Sequence, residues 1–292
     1  MSSPDASENT SLLPGPSDPI PGGYGIHKVL MRIFAHFTFL VASTVIPVLT
    51  YYTVGGGKTI SDISDENPTW FTIEPGFVIL YWCIMMLLQT KYVLGFSSMR
   101  CCTEMGCQRP ARLGISFILH NIFTILWAFL FAHSLSGWSE SILFLNFIQL
   151  CIGCGMDHES LLGRLRLEGT CRGQGARPVS YRCLCEFRFI NRLAVLSLPL
   201  TLTVYMIPWN IAVDLSRQES ISHDIAIFAI FLLDLYGSVF MHLQDCAVGF
   251  ASAFLAIGLL VQQWGNPDKW YAWLTVVYAV VTCIYSILAA II

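Results

Sequence analysis

The feature that most constrains this chain is a series of apolar stretches, each about as long as a bilayer is thick. The clearest, FVILYWCIMMLLQTKYVLGF, carries one formal charge in its twenty residues. A hydrocarbon core about 30 Å deep is crossed by roughly 20 residues of α-helix, so a run of this kind reads as a membrane span. Spans are read near 29–53, 75–98, 113–135, 140–157, 189–213, 224–242, 246–264 and 270–291. The expected fold class is therefore all-α, a polytopic transmembrane helical bundle of about eight spans. Seven remain if the short fourth stretch is re-entrant. Composition agrees: 55% of the residues are hydrophobic and 12% charged, about half the charge of an ordinary soluble domain.

The charges also give an orientation. With the N-terminus in the cytosol, twelve of the sixteen Lys and Arg fall on that side, seven of them between Arg164 and Arg192. The opposite side holds Lys58, Arg217 and Lys269, together with the acidic segment Asp62, Asp65, Glu66 and Glu74. This is a positive-inside pattern, and it places both termini in the cytosol. Cys101, Cys102, Cys107, Cys171, Cys183 and Cys185 lie in or beside the cytosolic loops, where thiols stay reduced, so no disulfide framework is expected.

The domain reading is a tail over 1–27 followed by a transmembrane domain over 28–292, with a cytosolic loop at 158–188. The tail is rich in Ser, Pro, Gly and acids. That composition cannot build a core and is expected to be disordered. It also lacks the basic start and apolar stretch of a secretory leader. Within it, Glu8, Leu12 and Leu13 form an acidic dileucine pattern of the kind read by sorting adaptors on flexible cytosolic segments, which points to a vacuolar or endosomal membrane. The partners expected are the lipid bilayer and such an adaptor. A net charge of −3 gives no basic field for nucleic acid.

The pattern resembles a fungal multi-pass membrane family defined by a domain of unknown function. The resemblance covers about 28–292. It rests on Glu74-Pro75 leading into Leu80-Tyr81-Trp82, on Phe117-Ile118-Leu119-His120-Asn121, on Trp138 and Leu145-Asn146, and on Tyr236-Gly237 and Gly249-Phe250. The resemblance implies the topology and brings no activity with it. The 158–188 loop is longer than the family pattern, and Asp234 stands where an apolar residue is expected.

An ionisable side chain deep in a span costs about 2.5–3.5 kcal/mol on insertion scales, so each asks for a partner or a purpose. Counted from the cytosolic ends of their spans, His36, Lys91, His120, Gln149 and Asp234 all lie about seven to eight residues deep, on the order of 10–12 Å. These five are the candidate site: an intramembrane polar layer in which Asp234 pairs with Lys91 or a histidine. The competing reading is structural, with Lys91 snorkelling to the interface and His120 and Gln149 bonding neighbouring helices. Pro199 and Pro208 are expected to interrupt the ladder of the fifth span. Gly249, Ala253, Ala256 and Gly258 mark a packing face on the seventh.

No metalloprotease, nucleophile-elbow, phosphate-loop or dinucleotide motif is present, nor an aspartate-rich diphosphate segment, and the cysteine spacings do not read as a metal site. No cofactor is expected. The reading is thus a non-catalytic carrier for a small solute or protons, or a membrane scaffold. The alternative is a small membrane-embedded enzyme such as a terpene cyclase, with Asp234, Glu74 or Asp245 as the acid.

Overall fold

The computed structural model describes residues 23–67, 69, 72–98, 108–171, 190–217 and 246–264, with scattered positions between 273 and 287. The N-terminal tail, the sixth span with Asp234, Asp245 and most of the eighth span lie outside the described residues. Helix α1 is Gly23–Tyr51, α2 Ile60–Glu66, α3 Pro75–Ser98, α4 Gln108–Ala132 and α5 Ser136–Cys171. A π turn at Leu193–Ser197 leads into α6, Leu198–Arg217, and α7 is Cys246–Gln263. Among the described residues no strand occurs. The chain is an all-α helical bundle, as its apolar runs require.

Five stretches are long and apolar enough to cross a membrane: Val29–Tyr51, Pro75–Leu94, Leu113–Ala132, Ser136–Met156 and Ile190–Leu215. The fourth, short by sequence, is a continuous helix that runs on past the span to Cys171. The seventh is the shorter apolar helix Ala247–Gln263. The protein is a multi-pass integral membrane protein, and its helices carry their apolar side chains outward as lipid requires. Leu87 is 71% exposed and Leu40 65%, values that would be costly in water and are ordinary against acyl chains.

The inward faces follow helical spacing. Tyr81, Met85, Gln89 and Tyr92 are buried along α3, a stripe at i, i+4, i+8 and i+11 that stays on one side of the helix. On α5 the buried stripe is Ser139, Leu143, Asn146, Leu150 and Cys154. Polar groups thus appear inside the bundle among the apolar core residues, where other helices can satisfy them. The core has two regions. One gathers Trp127, Phe131, Tyr205 and Trp209, with Phe131 stacked on Trp127 at 5.5 Å between ring centroids and meeting Trp209 at 5.1 Å. The other gathers Tyr92, Phe117, Leu150 and the fully buried Ala194, Val195 and Leu196.

α4 and α5 form an antiparallel hairpin, its reversal made at Ser134 with φ 58°. α1 packs on α4, and α6 on α5. The loop after α1 docks on the same end: Lys58 N–H bonds the Ala132 carbonyl at 2.9 Å, and a side chain at Gly57 would meet that carbonyl oxygen at 2.7 Å. Lys58 then pairs with Glu66 at the end of α2. α3 starts on a capping device legible as Glu74-Pro75. The Glu74 carboxylate accepts the Phe77 N–H at 3.0 Å, and proline at the first helical position forgoes an N–H that would have no partner there. The Glu74 N–H bonds the Gly258 carbonyl at 3.3 Å, tying α3 to α7. Gly258 is required there, because a Cβ would lie 2.7 Å from Ile73 and 2.8 Å from Phe77.

Candidate functional site

The polar groups of the inner bundle converge where α4, α5 and α6 meet. His120 and Asn146 are each 2% exposed. His120 Nδ1 lies 3.2 Å from Asn146 Nδ2 and 3.3 Å from Asn146 Oδ1. The same Asn146 amide donates to Thr203 Oγ1 at 3.1 Å, and its oxygen accepts from Gln149 Nε2 at 3.0 Å. Thr203 in turn donates to the Pro199 carbonyl at 2.8 Å, and Thr124 donates to the His120 carbonyl at 2.8 Å. Asn146 is the hub: one side chain on α5 serves α4, α6 and the next turn of its own helix. Gln149 Oε1 is buried without a hydrogen-bond partner among the described residues.

The chemistry of this junction follows from the geometry at His120. An imidazole nitrogen without hydrogen can accept from Asn146 Nδ2, and one with hydrogen can donate to Asn146 Oδ1. The contact therefore survives a change of tautomer or of protonation without moving a helix. Gln149 Oε1, without a partner among the described residues, is an acceptor in the same place.

The five residues of the polar layer are distributed unevenly. His120 and Gln149 meet through Asn146. His36 on α1 is half-buried, and its Nδ1 bonds the Arg32 carbonyl of its own helix at 2.7 Å. Lys91 on α3 is exposed. Asp234 lies outside the described residues, as do Glu8, Leu12 and Leu13. Glu74, one of the acids considered for an enzyme, serves as the helix cap described above.

Sequence reasoning did not pick out Thr203, nor a second polar group nearer the α4–α5 turn. There Asn210 donates to Glu140 at 2.6 Å, and Ser139 donates to Asn210 at 3.3 Å. A signal for the α5 side of both groups existed: Ser139, Asn146 and Gly153 recur every seven residues and so share a face. Gly153 is a point of close approach, since a Cβ would lie 2.8 Å from Ser116 Oγ and 2.9 Å from the Leu196 side chain. Among the described residues no group of three His, Cys, Asp or Glu is placed to hold a metal ion.

Part of the chain is similar to a known family. Residues 32–156 match the model of the TSPO-like protein family. The match runs from α1 to the membrane end of α5, less than half of the chain, and includes His36, Lys91, His120, Asn146 and Gln149. It stops short of the π turn and Thr203. The similarity is to a membrane protein family, in agreement with the multi-pass architecture. No curated protein and no solved structure matches the chain.

Proposed function

We propose that the protein is a carrier for a small solute or for protons, with the His120–Asn146–Gln149–Thr203 junction as its working site. The observation that carries this reading is a buried histidine bonded to an amide that can serve it as donor or acceptor, beside a Gln149 oxygen that has no partner among the described residues. Intramembrane histidines facing a bundle interior suit proton relays and substrate pathways, and the adjoining irregular turn of the fifth span suits a helix that lines one. A scaffold needs helix-bridging bonds but no open acceptor. The test is flux across liposomes containing the full-length protein, followed with an internal pH dye and with labelled solutes. His120→Phe and Gln149→Leu are each expected to lower flux at least tenfold while the protein stays monodisperse in detergent. Wild-type flux in both variants would sink the reading.

A second reading, a small membrane-embedded enzyme such as a terpene cyclase, draws support from Glu140. This acid is held by Asn210 in the half of the bundle that also contains the rings of Trp127, Phe131 and Trp209, and aromatic faces stabilise carbocations. The two readings separate on metabolite profiles. Loss of a product in cells carrying Glu140→Gln, with flux through liposomes unchanged, favours the enzyme.

We further propose that Glu8, Leu12 and Leu13 engage a sorting adaptor from a cytosolic tail and direct the protein to a vacuolar or endosomal membrane. The acidic dileucine spacing and the positive-inside distribution support it. Retention of the tagged protein in that membrane after Leu12→Ala and Leu13→Ala would remove the proposal.

A further inference from the structure

The fifth span holds a feature that the polar junction does not explain. Leu193–Ser197 is a π turn in which the Leu198 N–H bonds the Leu193 carbonyl, five residues back. The cause lies just beyond, at Pro199. In a regular α register its ring would be driven against the Val195 carbonyl four residues earlier, and widening the preceding turn relieves that clash. The widening leaves Ala194 stranded. The Leu198 N–H is already engaged, and residue 199 has none to give, so neither the α nor the π pattern supplies the Ala194 carbonyl with a donor.

The donor comes from another helix. Gln89 of α3 reaches the Ala194 carbonyl through Nε2 at 3.4 Å. Four residues on, Tyr81 of α3 donates to the Leu198 carbonyl at 2.8 Å. The two grips differ. The outer one is short, and Thr203 adds a 2.8 Å bond to Pro199 beside it. The inner one is at the long limit of hydrogen-bond geometry. Gln89 is 1% exposed, yet its Oε1 is without a partner among the described residues, so within them the bond at Nε2 is the one polar hold on its amide.

We propose that Gln89 is the latch of a hinge in the fifth span. With the latch made, residues 190–193 are held in line with α6. With it released, the Ala194 carbonyl and the Gln89 amide part, and the cytosolic end of the span swings about the π turn while Tyr81 and Thr203 keep the outer part in place. Turns of this type are frequent at functional sites, and the Thr203 end of the polar junction is mounted on the fixed side. The inference rests on the π turn and the side chains that bond its carbonyls, and stands whether or not the carrier reading does.

Hydrogen exchange of the full-length protein in lipid nanodiscs tests it without any solute. Gln89→Leu is expected to speed exchange of the 193–198 amides about threefold to tenfold, the worth of one net hydrogen bond. Pro199→Ala is expected to slow it, because a regular ladder becomes available in which Leu198 bonds Ala194 and residue 199 bonds Val195. In that background Gln89→Leu is expected to have no further effect, since the latch is redundant. Wild-type exchange in Gln89→Leu, or the same acceleration in both backgrounds, would overturn the hinge. Should Gln89→Leu fail to assemble, Gln89→Asn, whose amide is one carbon too short to reach, gives the same comparison. Altered flux with unaltered exchange would count against the hinge and leave the carrier reading standing.

Discussion

Asn146 illustrates how one neutral side chain can organise a membrane interior. It holds His120, Gln149 and Thr203 at once, and lipid offers none of them a replacement. Asn146→Leu fills the same space and removes every bond. The expected result is a loss of about 1–3 kcal/mol for the stranded groups, read as a lower melting temperature of the purified protein in detergent. A melting temperature within error of wild type would mean that the junction contributes nothing to stability. His120 and Gln149 were legible in the sequence because polar side chains stand out in apolar runs. The failing of depth as a guide is shown by Lys91. It lies at the same height as the others, but two residues from Gln89, about 200° around the helix, and so it faces out while Gln89 faces in. Counting residues from the end of a span gives height and says nothing of azimuth.

At the scale of elements, small residues decide which helices touch. Helix α7 buries Ala251, Ala253, Ala256 and Leu259, while Phe250, Ile257 and Val261 are turned outward. Gly258 lets α7 close on Ile73 and on Phe77 at the start of α3. Gly258→Leu is expected to destabilise the protein by about 1–3 kcal/mol through overpacking, whereas Ile257→Leu, on the outer face, is expected to be neutral. Equal melting temperatures for the two variants would remove Gly258 from the interface. The packing face of this helix could be read from the spacing of its small residues. The fifth span could be read only in part: Pro199 announces a break in the ladder, but whether the helix kinks, unwinds or widens depends on what the neighbouring helix can donate. Gln89 and Tyr81, more than a hundred residues away in sequence, settle that choice.

For the whole molecule, the orientation proposed from the arginines is open to direct measurement. An epitope at the N-terminus is expected to be reached by antibody once the plasma membrane alone is permeabilised, with organelle membranes left sealed. An epitope inserted beside Lys58 is expected to stay protected until the lumenal side is exposed as well. The reverse pattern would invert the scheme and remove the dileucine motif from any cytosolic adaptor.

The chain's own residues determined that it lives in a bilayer, as helices, and roughly where the five described spans begin. Those properties are sums of transfer energies along a short stretch, and each stretch carries its own total. Tertiary structure decided which polar groups meet, because a bond between His120 and Asn146 or between Gln89 and Ala194 depends on rotation about separate helix axes and on the distance between them. No local sum contains those quantities. They are set by the close contacts at Gly153 and Gly258 and by the widened turn before Pro199.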